Sequence, residues 1–219
     1  DIYGKELIDK EQIMELKPQD IVLPGFGSLE ESGPKVLSRV CNFIDELLIK
    51  FYGKKSFYNL EKEEDLVGHL VIGLAPHISA GLIGRIIGFS ETQGFLAHPM
   101  YHAGMRRDCD GDEAAILLLM DALLNFSRQY LPERRGAKTM DAPLVLTSTL
   151  NPAEVDDQVH GMDVVWKYPL ELYEAALEMR KPWEIDGKKV EQLGDRLGKE
   201  SQLENFGYTH WVSNLNKGV

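Results

Sequence analysis

The chain has 219 residues, 43% hydrophobic and 27% charged, a composition that suits a folded globular protein and argues against a disordered or fibrous one. Its 35 acidic and 24 basic residues leave a net charge of −11, which excludes a general polyanion binder but not an acidic centre flanked by a local basic surface. No long apolar span and no signal-like start is present, so a cytoplasmic protein without membrane association is expected. Cys41 and Cys109 form no spacing motif and read as reduced thiols, not as a zinc site. The first residue is Asp1, not methionine, and the sequence reads as a piece of something longer.

Taken in order, residues 1–34 are mixed. Residues 21–23 suggest a short strand closed by a Pro24-Gly25-Phe26-Gly27 turn. A helix is expected from 35 to 51, because Val36, Val40, Phe43, Ile44, Leu47 and Leu48 fall at helical spacing. The charge run 61–65 is a solvated stretch and marks a soft boundary between an N-terminal segment, 1–65, and a main region, 66–219. Residues 66–74 and 82–89 read as two buried strands. Their glycines suggest close backbone approach and a small, tightly curved barrel. The loop between them carries His77, either a phosphate or base contact or a loop histidine bonded to backbone. His98 and His102 are four apart, as on a metal-binding helix, but Pro99 disfavours a helix through His98, and neither has a neighbouring glutamate to act as a base. Zinc is therefore not expected there.

The chain is organised around residues 106–113, Arg106-Arg107-Asp108-Cys109-Asp110-Gly111-Asp112-Glu113, and the apolar run that follows. The run, from Ala114 to about Leu131, is read as a long buried helix with Asp112 at its N-cap. Beyond it come a basic turn at Arg134, Arg135 and Lys138, strands at 144–150 and 162–166, a helix at 170–179, and a strand beginning near 207. Residues 151–157 read as a short helix or turn.

Aspartates at alternate positions can converge on one point. Two carboxylates ~4 Å apart repel by about 4 kcal/mol at an effective dielectric of 20, and a helix N-terminus offsets only ~0.3–1 kcal/mol. A cation is needed, or the aspartates splay into water. Hard oxygen ligands in a small cluster suit Mg2+, with Mn2+ as an alternative, in phosphoryl or nucleotidyl transfer. An EF-hand fails, because counting from Asp108 its sixth and twelfth positions hold Glu113 and Leu119 in place of glycine and glutamate. A solvated acidic helix start remains the plain alternative. Arg106 and Arg107 on one side and the apolar run on the other favour the metal.

Residues 66–150, taken together, resemble the large, catalytic subunit of the archaeal D-family DNA polymerase. The resemblance rests on Gly68-His69-Leu70-Val71, on Ala75-Pro76-His77-Ile78-Ser79-Ala80-Gly81, on Gly84-Arg85-Ile86-Ile87-Gly88-Phe89, on Ala97-His98-Pro99-Met100-Tyr101-His102-Ala103, and above all on residues 106–113. Arg134-Arg135-Gly136 and Met140-Asp141-Ala142-Pro143 continue it, and it extends to His160-Gly161-Met162-Asp163. The resemblance implies an α+β catalytic core of double-psi β-barrel type, related to multisubunit RNA polymerases, with flanking helices. It implies metal-dependent addition of deoxynucleotides to a primer 3′-hydroxyl. Asp110 and Asp112 fall on the family's catalytic, metal-binding aspartates. Asp108 stands where the family commonly has asparagine, which leaves its part in holding metal open. Arg85, Arg106, Arg107 and His77 are candidate phosphate contacts, and Arg134, Arg135 and Lys138 candidate DNA-backbone contacts. The implied partners are primer-template DNA, deoxynucleoside triphosphates, a small exonuclease subunit and a sliding clamp. The family's companion-barrel lysines have no match, so only part of the active site is expected here. The rival readings are an RNA-polymerase-like core and a non-catalytic interaction module.

Overall fold

The structure is a computed structural model. It describes residues 16–25, 31–76, 80–90, 94–107, 111–125, 145–150, 159–164, 168–181, 184–185 and 190–204. In chain order it has strand β1 (Asp20–Pro24), helix α1 (Gly33–Lys50), strands β2 (Leu70–Leu74), β3 (Ala80–Ser90) and β4 (Leu96–Ala97), helix α2 (Pro99–Gly104), strand β5 (Ala115–Leu118), helix α3 (Leu119–Asn125), strand β6 (Val145–Thr147) and helix α4 (Leu170–Leu177).

The strands form one mixed sheet in the order β4-β1-β3-β2-β5, with β6 also on β3. β3 is the longest strand and the hub. Residues 80–82 pair in parallel with β6 and residues 85–90 in parallel with β1. Residues 81–85 pair antiparallel with β2. The fold is α+β, and the path of the described strands is open at β4 and β5.

Side-chain alternation along β2 gives the sheet two buried faces. Val71 joins Ile21, Leu82 and Ile86 in a core with Cys41, Ile44 and Leu48 of α1. Ile72 and Leu74 face the other way and pack with Ala122 of α3. The core of α1 therefore continues into the strands beyond residue 65. Pro34 opens α1 with its φ already set for a helix. Asp45, buried on that helix, accepts the backbone N–H groups of Phe57, Tyr58 and Asn59 at 2.7, 2.9 and 2.7 Å, tying the following loop back to α1. Burial pushes the Cys41 thiol up to about 12, so it is an inert apolar side chain.

The expected elements at 21–23, 35–51, 82–89, 144–150 and 170–179 appear as β1, α1, β3, β6 and α4, with shifted ends. Three expectations are corrected. Residues 63–66 form a 3-10 turn, and the strand expected from 66 begins only at Leu70. The long buried helix from 114 is instead strand β5 followed by the short helix α3, because the free edge of β2 offers hydrogen-bond partners to an apolar run that fits either period. At 162–166 the described residues hold a single bridge, Asp163 to Gln192, in place of a strand. The turns expected at 132–138 and 151–157 and the strand from 207 lie outside the described residues.

Candidate active site

The acidic loop is slung between two fixed stems. Its first stem is α2. Pro99 stops the helix from extending backward, and His98 becomes the N-cap, its Nδ1 accepting the Met100 N–H at 3.0 Å. The other ring nitrogen, Nε2, lies 3.2 Å from the Leu203 carbonyl and must carry the proton. Both nitrogens of this buried histidine are thus engaged in structure, which removes it as a metal ligand. His102 lies in the same helix with its ring edge-on to Phe95, and burial pushes its pKa down to about 4.

Tyr101 fixes α2 to the sheet. It is fully buried, and its hydroxyl donates to the Leu82 carbonyl at 2.8 Å. Room for its ring comes from Gly73 on β2 and Gly84 on β3. A Cβ at either would lie 2.8 or 2.7 Å from the tyrosine oxygen. The glycines that suggest curvature in the sequence are the socket of this side chain.

α2 ends in a Schellman arrangement: the Arg106 N–H donates to Ala103 O at 2.8 Å and the Arg107 N–H to His102 O at 3.0 Å. Arg106 occupies the left-handed position, φ +60°, that glycine usually takes. This reversal splits two consecutive arginines: Arg106 is exposed, while Arg107 turns inward and its guanidinium lies 3.3 Å from the Asp112 carboxylate.

The second stem is β5. Ala115 pairs with Leu74, and Leu118 with Val71. Gly111 makes the turn into it at φ +114°, and a Cβ there would meet nothing within 4 Å. Asp112 follows with its side chain 36% exposed. A carboxylate one-third exposed beside open space can take a hard divalent ion, provided the guanidinium against it gives way. Among the described residues no group of three metal-ligating side chains occurs. Asp108 and Asp110, with His77, Arg134, Arg135 and Lys138, lie outside the described residues.

Arg85 is at the other end of β2, where it pairs with Leu70, four residues or ~13 Å along the strand from Leu74. Its guanidinium is 2.9 Å from the buried Asp20 carboxylate, an ion pair between residues far apart in sequence. The structure therefore brings together Arg107 and Asp112, leaves Arg106 exposed at the end of α2, and sets Arg85 apart. The Tyr101 socket and the His98 cap are the site-shaping features that sequence reasoning missed. Gly73 and Gly84, with a tyrosine shortly before the loop, were the available signal.

A family model described as DNA polymerase II large subunit DP2, catalytic domain, matches residues 1–219. The chain belongs to this family. Among its relatives, the DNA polymerase II large subunit of Pyrococcus furiosus is 56% identical over 218 residues, all of this chain and 17% of that protein. The large subunits of Archaeoglobus fulgidus and Nanoarchaeum equitans are 53% and 47% identical, again over all of this chain and 18% of each. The chain thus spans less than a fifth of the length of these DNA polymerase II large subunits. No described helix is long and apolar enough to cross a membrane.

Proposed function

We propose that this chain supplies the carboxylate loop of a DNA-directed DNA polymerase, which adds deoxynucleotides to a primer 3′-hydroxyl. The observation that carries this is the setting of Asp112: a cation-paired carboxylate between two stems fixed to adjacent strands, α2 through Tyr101 to β3 and β5 through its pairing to β2. The family and the relatives' names support the reaction class. In this reading Asp110 and Asp112 hold Mg2+, or Mn2+ in its place, and Asp108 assists. A divalent cation there would lower the pKa of the primer hydroxyl and offset charge developing at the α-phosphate.

The chain's own residues do the rest. The stems hold Arg107 and Asp112 in place, so little ordering of these two side chains is left to be done when the reactants arrive. Arg106, exposed beside the loop, and Arg107 meet phosphate oxygens of the incoming triphosphate. Arg85 and His77 serve the more distant phosphates of the primer-template. The double-psi barrel is part of the same proposal. Its support is the long strand β3, which runs parallel to both β1 and β6 and antiparallel to β2. The relatives' name, large subunit, supports a smaller companion. The exonuclease activity of that companion, a sliding clamp and a cytoplasmic setting complete the reading.

In the full-length enzyme Asp110→Asn or Asp112→Asn is expected to abolish nucleotide incorporation while circular dichroism stays unchanged. Incorporation that persists in both variants would reject the assignment. Replacing Arg134, Arg135 and Lys138 is expected to weaken DNA binding and to flatten its dependence on salt, by nearly one unit of slope for each phosphate no longer neutralised. An unchanged slope would remove these residues from the DNA surface.

A further inference from the structure

Arg107 has a role that the reaction alone does not demand. Its guanidinium lies against the carboxylate of Asp112, 3.3 Å away, and its side chain is only 24% exposed. Its Nε is buried without a hydrogen-bond partner. A planar guanidinium has five N–H donors and recognises carboxylate and phosphate best when several are used together. Among the described residues this one is held by a single ion pair, with its Nε idle in a buried position. Such a pose neutralises the aspartate without satisfying the arginine.

The backbone accounts for how Arg107 comes to be there. The left-handed turn at Arg106 closes α2 and directs the next residue inward, and Gly111 brings Asp112 back to meet it. The two partners sit one on each stem of the loop. Arg107 follows α2, which Tyr101 fixes to the sheet, and Asp112 precedes β5, which pairs with β2. The pair therefore bridges the two stems.

We propose that Arg107 is the resident counter-cation of Asp112, a latch that a divalent metal displaces. The inference rests on the reading of Asp112 as a metal ligand. Without metal, the guanidinium offsets the carboxylate's charge and holds the ends of the two stems together. With metal, the same carboxylate is claimed by a doubly charged ion, whose repulsion loosens the guanidinium's hold on it. The released guanidinium then stands beside the metal with its idle donors, where a triphosphate bears its densest negative charge. One residue would thus serve in turn as stand-in for the metal and as phosphate contact.

The test is chemical labelling of the full-length large subunit with an arginine-specific dicarbonyl, with peptide mapping to separate Arg107 from Arg106. Mn2+ alone is the probe, its binding followed by electron paramagnetic resonance, with Asp112→Ala beside the unaltered protein. The expected result is slow labelling of Arg107 without metal and labelling several-fold faster with Mn2+. In Asp112→Ala it is fast with or without metal, and Arg106 is constant throughout. If Mn2+ binds at a site that Asp112→Ala removes, yet Arg107 labelling is unchanged or falls, the latch is rejected and the ligand role of Asp112 stands. If Asp112→Ala loses no bound Mn2+, the ligand role itself falls and the latch with it.

Discussion

Replacing Gly84 by alanine puts a methyl group where the ring of Tyr101 already lies, 2.7 Å from Oη and 3.0 Å from Cζ. Comfortable separation between such atoms is ~3.5–4.0 Å. The ring has no easy retreat, because it is fully buried and its hydroxyl is tied to the Leu82 carbonyl at 2.8 Å. Overpacking of this kind costs about 1–3 kcal/mol, and a strained or broken buried hydrogen bond about 1 kcal/mol more. We expect Gly84→Ala to lose about 3 kcal/mol of local stability in α2. Tyr101→Phe alone should cost about 1 kcal/mol, the net worth of a typical hydrogen bond. It also removes the atom that the new methyl meets most closely. In the Tyr101→Phe background, Gly84→Ala should therefore cost at least ~1 kcal/mol less, a coupling well above the ~0.5 kcal/mol at which independent sites add. Native-state hydrogen exchange at the amides of α2, measured in the full-length large subunit, reads all four corners of the cycle. Equal penalties for Gly84→Ala in the two backgrounds would show that the ring is not what fills the glycine's space.

Two further outcomes follow from the same stem. Arg106→Gly should relieve the left-handed strain at the end of α2, worth roughly 1–2 kcal/mol before the added freedom of glycine in the unfolded chain is subtracted. The expected net effect is slower hydrogen exchange at 102–107 together with a higher KM for deoxynucleotides; faster exchange would mean that the position is not strained. His102 gives a pH dependence. Burial holds its folded-state pKa near 4, below the ordinary 6.5, so the unfolded chain binds the proton more readily. Its contribution is complete above about pH 6.5 and is lost as pH falls toward 4, with a ceiling on the order of 3 kcal/mol. α2 exchange that loses its protection over this interval, and keeps it in His102→Leu, is the expected pattern. Identical pH profiles for the two proteins would assign the loss to another group.

Much of this architecture was legible because local patterns carry it. α1 was marked by Val36, Val40, Phe43, Ile44, Leu47 and Leu48 at helical spacing, though its buried face is Cys41, Ile44 and Leu48 while Val36 and Phe43 are exposed, and β2 and β3 are apolar runs bounded by turn residues. The acidic loop stood out by its spacing alone. What escaped depends on partners distant in the chain. Residues 115–118 are strand because β2 has an edge to fill, and nothing within the run says so. Arg85 is held by Asp20 across 65 positions. The paired glycines look like curvature until Tyr101, 17 residues beyond Gly84, is seen in the space they leave. The arginine pair reads as one basic patch, and only the backbone reversal at Arg106 turns it into one outward and one inward cation.

Both ends of the acidic loop lean on one strand. Tyr101 braces the entry against β2 and β3, and β5 draws the exit along β2. The two stems resemble posts that stand on one beam. When the beam sways, the posts sway with it and the span between them hardly changes. Thermal motion of the sheet therefore carries Arg107 and Asp112 about together. One deformation that would part them is a local twist of β2 between Gly73, which seats Tyr101, and Leu74, which pairs with Ala115, so the spacing of the two stems depends on two adjacent residues of a strand.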